Sequence, residues 1–140
     1  MAKPVPRRIP SDDCEVTIDG EVYRPHEGEW VEMISSESVG ELRIRVELAQ
    51  LGPKLEALEG EPDAGIRYNA LMDAHYVSLC EHLAERVVAW NWTDLRGRPL
   101  SPPTDDQGRP LGLLRLRANE LYWLMNAVAP QESAESRKNG

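Results

Sequence analysis

The chain has 140 residues, a formal net charge of −8 and a pI near 4.9. That length suits one domain able to bury most of its surface without staples, and the acidic balance argues against nucleic acid, whose binders neutralise phosphates with Lys and Arg. Two cysteines, Cys14 and Cys80, are too few and too far apart for a disulfide framework or a zinc ligand set. No apolar run approaches the roughly 20 residues of a membrane span, and MAKPVPRRIP lacks the apolar h-region of a signal peptide, so a cytosolic protein without membrane contact is expected.

Met1 to Asp13 carries three prolines and two arginines without periodicity and reads as a flexible arm. From Cys14 the sequence CEVTIDGEVY alternates around Asp19-Gly20, a pair suited to the positive φ of a tight hairpin turn. A two-residue loop would pair Ile18 with Glu21 and Val16 with Tyr23, while a three-residue loop would pair Ile18 with Val22; the pattern leaves both registers open. Arg24-Pro25-His26-Glu27-Gly28 breaks the strand. Glu29 to Ile34 then reads as a third strand, with Val31 and Met33 on one face and Trp30, Glu32 and Ile34 on the other. The β element thus spans residues 14–34.

Ser38 and Glu41 have capping-box spacing, opening a helix over 38–58 with a kink or a second short helix at Gly52-Pro53. Glu61-Pro62-Asp63-Ala64-Gly65 interrupts, with Asp63 as N-cap. The longest helical pattern follows, over 64–91, where Met72, Tyr76, Leu79, Leu83, Val87 and Trp90 fall in steps of three or four. Residues 92–112 form a loop with four prolines and three glycines and show no internal repeat; a loop this long in a small domain is usually functional or disordered. A last helix over 113–129 presents Leu121, Leu124, Met125 and Val128 on one face, with Asn119 or a residue just before it as cap, and 130–140 is a flexible tail. These elements predict an α+β fold, predominantly helical. A small N-terminal β-hairpin or three-stranded sheet packs on about three helices, in one domain over 14–129 with disordered termini.

Chemistry-bearing patterns are sparse. His75 and His82 share a helix face but lack the short-spaced partners of a metal site, and they read as ordinary, partly exposed histidines. His26 reads as a solvated loop histidine, and Cys80 as a small buried hydrophobe. No nucleophile elbow or Gly-rich phosphate loop is present, so no catalytic, cofactor or metal residue is assigned and no enzyme is expected. Trp90, Trp92, Tyr122 and Trp123 gather at the end of the long helix and on the last one. They form either the core where those helices meet or a partner-binding surface.

The order of PHEGEWVEMI, an acidic amphipathic helix, ERVVAWNWTDLRGRPLSPP and ELYWLMNAV resembles the tail assembly chaperones of long-tailed bacteriophages. The matching positions are Trp90, Trp92, Asp94, Gly97 and Pro99, then Leu121, Trp123 and Leu124, within a span of about residues 18 to 128. The stretch from Ser101 to Gly112 is longer than that pattern. The resemblance implies a small non-enzymatic protein of the bacterial host's cytoplasm, absent from the mature virion. It would keep the tape measure protein soluble while tail tube subunits polymerise around it. Trp90, Trp92, Asp94, Tyr122 and Trp123 are then the expected contacts, and the tail tube protein and a second copy of the chain are further candidate partners. Two alternatives stay open: a minor head or tail completion component of the virion, and a host-interacting regulatory module bound through the loop from Trp92 to Gly112.

Overall fold

The structure, a computed structural model, describes residues 5–34 and 39–127, with backbone alone for 39–43. In chain order it forms β1 (Arg7–Pro10), β2 (Val16–Ile18), β3 (Glu21–Tyr23), β4 (Trp30–Met33), α1 (Val39–Glu56), α2 (Ala64–Ala84), β5 (Val87–Trp90), a 3-10 turn (Leu113–Arg115) and α3 (Ala118–Ala127). The capping box placed at Ser38 and Glu41 and the tail over 130–140 lie outside the described atoms.

Two sheets carry the strands. β4 lies between β1 and β5, antiparallel to both, pairing Ile9 with Val31 on one side and Val31 with Trp90 on the other. Alternation along β4 sends Val31 and Met33 into the core, while Glu32 on the outer face bonds Arg8 at 2.9 Å and the Arg8 guanidinium lies 3.9 Å from the Trp30 ring centre. The hairpin β2–β3 forms a separate sheet in the two-residue register, Val16 opposite Tyr23 and Ile18 opposite Glu21. Asp19 and Gly20 supply the two positive φ angles, 52° and 82°, that its turn requires.

These pairings correct the expected architecture. The fold is α+β but not predominantly helical: helix makes up about 41% of the described residues, beside five strands in two sheets. Arg7–Pro10, expected within a flexible arm over 1–13, is an edge strand, and Pro10 sits at the end of that edge, where a missing donor costs least. The helix expected over 64–91 stops at Ala84. Glu85 and Arg86 turn the chain, their amides bonding to the carbonyls of His82 and Leu83, and Val87–Trp90 pairs with β4. Val87 and Trp90 satisfy helical spacing, but adjacent β-branched Val87 and Val88 favour a strand wherever an unpaired sheet edge is available. The third strand of the expected 14–34 element therefore belongs with β1 and β5 rather than with the hairpin.

Elsewhere, α1 runs unbroken through Gly52-Pro53. Asp63 occupies the N-cap position of α2 without a side-chain cap bond. The helix expected over 113–129 divides into the 3-10 turn and α3. The core gathers Val31 and Met33 of β4, Ile44 of α1, Leu79 and Leu83 of α2, Trp92, Leu113, and Leu121 and Leu124 of α3. α1 and α2, joined by the short turn over 57–63, pack as a helical hairpin, and Ser78 Oγ of α2 donates to Glu47 Oε2 of α1 at 3.0 Å. No described residue from Arg45 to Ala74 is buried, so the core holds only the base of this hairpin.

Candidate functional site

Trp92 is 1% exposed and His26 has no exposed surface. The turn Arg24–Gly28 delivers the imidazole inward, where its ring lies 3.8 Å from that of Trp92 at an interplanar angle of 11°. Nδ1 is 2.9 Å from Glu29 Oε1 and Nε2 is 2.5 Å from Glu120 Oε2. An ionised carboxylate only accepts, so a ring nitrogen that faces one is placed to donate to it. Glu29 also accepts from the Thr93 amide at 2.9 Å and the Thr93 hydroxyl at 2.5 Å. Glu120 Oε1 accepts from the Arg117 amide at 3.0 Å, the reach-back half of a capping box, so a single side chain both caps α3 and pairs His26. Burial works to raise the Glu120 pKa, but the His26 and Arg117 bonds outweigh it and hold the carboxyl below its ordinary value. The network ties the 24–29 turn, the strand end after β5 and the start of α3 into one buried unit.

The aromatic cluster expected as a partner surface is mostly an internal assembly around this network. Trp90 and Trp92 stack with ring centres 5.1 Å apart, and Trp92 and Trp123 meet at 5.9 Å. Each indole N–H is taken up internally: Trp90 by the Ser101 carbonyl, Trp92 by Ser11 Oγ and Trp123 by Asp13 Oδ1. Trp92 is thus enclosed, and Trp90, Trp123 and Tyr122 are half-buried. The Tyr122 hydroxyl sits 3.2 Å from His75 Nε2. Burial and neighbouring tyrosines push its pKa up to about 12.

Asp94 shapes a turn. Its Oδ1 accepts from the amides of Arg96 and Arg98, and Gly97 adopts φ 79°. The same construction recurs at Asp105, which accepts from the amides of Gln107 and Arg109, with Gly108 at φ 78°. The backbone agrees: Asp94 N bonds Arg98 O and Gly97 N bonds Asp94 O, while Asp105 N bonds Arg109 O and Gly108 N bonds Asp105 O. The sequence underneath is Thr-Asp-x-x-Gly-Arg-Pro-Leu twice, at 93–100 and 104–111, so the loop does contain an internal repeat. These amide bonds, above all from Arg98 and Arg109, hold both aspartates below the usual carboxylate range.

Three further residues depart from expectation. His26 is fully buried rather than solvated, because Glu29 and Glu120 replace water around it. His75 and His82 are buried rather than partly exposed, and burial lowers the His75 pKa. Cys80 is buried as expected and its thiol is pushed up to about 11, and Cys14 to about 12, both mainly by burial. Among the described residues no three His, Cys, Asp or Glu side chains converge in a way that would hold a metal ion, and no helix is long and apolar enough to cross a membrane.

An open groove of about 300 Å³ lies on the other side of α2, between Asp73, Tyr76, Val77 and Cys80 of that helix and Leu114, Leu116, Ala118 and Leu121 opposite. Sequence spacing places these α2 positions together, and Ala118 and Leu121 opposite them fall on α3, but Leu114 and Leu116 lie in and just after the 3-10 turn, where the sequence predicts a continuous helix over 113–129. Comparison with family models, curated proteins and solved structures finds no match to this chain.

Proposed function

We propose that the chain is a non-enzymatic assembly chaperone that holds the tape measure protein of a long-tailed phage in dispersed form while the tail tube polymerises around it. It works in the bacterial cytoplasm and is left out of the finished particle. The observation that carries this reading is the limb formed by α1 and α2. Between Arg45 and Ala74 no residue is fully buried: Val46, Ile66 and Tyr68 are exposed, and Leu51, Leu55, Leu58, Leu71 and Met72 are only half-buried. Two helices alone cover such residues on one side only, leaving apolar area available to an amphipathic helix. The excess of acidic residues supports the same role, since like charge keeps carriers of exposed apolar surface apart. The resemblance around Trp90 to Pro99 supplies the identity of the client. The contact surface is assigned to the limb and to the groove beside it, because Trp92 is enclosed.

Co-expression with overlapping fragments of the tape measure protein, followed by sizing with mass determination, tests this. A fragment that stays dispersed in a defined complex is the expected result. Aggregation of every fragment, with the chain recovered at stoichiometric amounts in purified particles, would replace the proposal with a virion component.

A further inference from the structure

As far as Val77, α2 has a face the core does not use. Ile66, Ala70, Asp73 and Val77 recur in steps of three and four, so they line one side of the helix, and none is buried. Cys80 continues this stripe as the floor of the groove, where Leu114, Leu116 and Leu121 rise on the far side. Val77 and Leu114 are 44% and 45% exposed on the two lips. From Ile66 to Cys80 the stripe covers about 21 Å at ~1.5 Å per residue, roughly four helical turns.

Charge narrows what can cover it. Asp73 stands at the midpoint and Glu81 about two turns further on, both exposed and neither in an ion pair among the described residues. The nearby cations are engaged elsewhere. Arg67 reaches Glu61 and Asp63 at 3.9 and 4.0 Å, Arg115 donates to Ser101 Oγ at 3.4 Å, and Arg117 lies beside Glu120. A second copy is disfavoured, since a two-fold antiparallel contact on this stripe sets Asp73 against its own counterpart.

We propose that this stripe and groove dock a partner's amphipathic helix of about four turns, whose apolar seam is flanked by two Lys or Arg residues about two turns apart, facing Asp73 and Glu81. The site rests on the holding function only for the identity of that helix. A contact this small belongs with weak, exchanging interfaces, which suits a carrier that must let go.

The probe is a labelled 18-residue helical peptide with a Leu seam and two lysines spaced eight apart, beside its twin with glutamates in place of the lysines, titrated by fluorescence anisotropy at low salt. The lysine peptide should bind saturably and at least tenfold more tightly than the twin. Asp73→Lys should reverse that order, and Val77→Asp should weaken both at least tenfold with the circular dichroism spectrum unchanged. Equal binding of the two peptides, or indifference to both substitutions, overturns the site. So does light scattering that finds a dimer which Val77→Asp dissolves, because the occupant is then a second copy. Lysine-peptide binding that depends on Asp73, found together with aggregation of every tape measure fragment, retires the holding function and keeps the site. Dispersed fragments whose binding ignores Asp73→Lys do the converse.

Discussion

Substituting His26 with alanine is the most severe single change the structure suggests, and its cost can be worked from the groups left behind. The imidazole has no exposed surface, pairs with Glu29 at 2.9 Å and Glu120 at 2.5 Å, and lies 3.8 Å from the Trp92 ring. Without it Glu29 still accepts from the Thr93 amide and hydroxyl, but Glu120, with a side chain 5% exposed, keeps only the Arg117 amide. Removing one partner of a buried pair costs about 3–5 kcal/mol because the other charge is stranded. Against a total of roughly 5–15 kcal/mol for a domain, that is a third of the stability or more. Glu120→Ala costs less, since it removes the stranded charge itself, leaving one ring nitrogen and the α3 cap unpaired. The double variant should then lose about 2 kcal/mol less than the sum of the singles. Urea unfolding followed by circular dichroism at pH 7 reads all four states. A His26→Ala loss below about 1 kcal/mol, or singles that add within about 0.5 kcal/mol, would refute the coupled network.

Other outcomes follow from the same packing. Trp92→Ala should cost about 3–5 kcal/mol, as removal of a fully enclosed aromatic does, and clearly more than Trp123→Ala, whose ring is half-buried; equal losses in thermal unfolding would contradict the enclosure of Trp92. Gly112→Ala should destabilise by about 1–3 kcal/mol, because a Cβ there collides with the Pro102 carbonyl, whereas Gly108 has open space around it; an unchanged melting temperature at Gly112 would count against that close approach. Glu120 ionises below its ordinary 4.5 in the folded chain, so its charge contributes stability above that pH which is lost as pH falls through the lower folded value. Glu120→Gln should flatten the acid side of a stability–pH curve, and an undiminished slope below pH 4.5 would show that the carboxylate is not held down.

Locally encoded features were legible in the sequence, and features made by distant pairing were not. Asp19-Gly20 announces its turn because few residue pairs tolerate two positive φ angles, and the alternation of Trp30 to Met33 shows which face is buried. β1 and β5 carry no such mark. Each is a strand because β4 offers unpaired backbone on both sides, and β5 lies more than fifty positions from the strand it joins. His26 is the sharper case. Its i+3 neighbour Glu29 is visible in the sequence, but Glu120 is 94 positions away, and without it a histidine in a Pro-Gly turn reads as solvated. Trp92 was readable as either core or surface, because tryptophan serves both; the hydroxyl of Ser11, a segment read as a mobile arm, decides between them.

The repeated turn is visible in the sequence, but its eight residues are short beside the periods that mark repeat architectures. The two copies set the path of the long loop. The first copy ends with Leu100 N bonded to Trp92 O, returning the chain beside the tryptophan cluster. The second brings Gly112, whose amide and that of Leu113 both bond the Pro103 carbonyl, into a close approach that only a residue without a side chain permits. From there Leu113 enters the core while Leu114 and Leu116 run along α2 as the outer wall of the groove. The stretch from Ser101 to Gly112 is therefore mostly a second copy of the turn at 93–100. It leads into the wall opposite Asp73 and Val77, formed by Leu114, Leu116, Ala118 and Leu121.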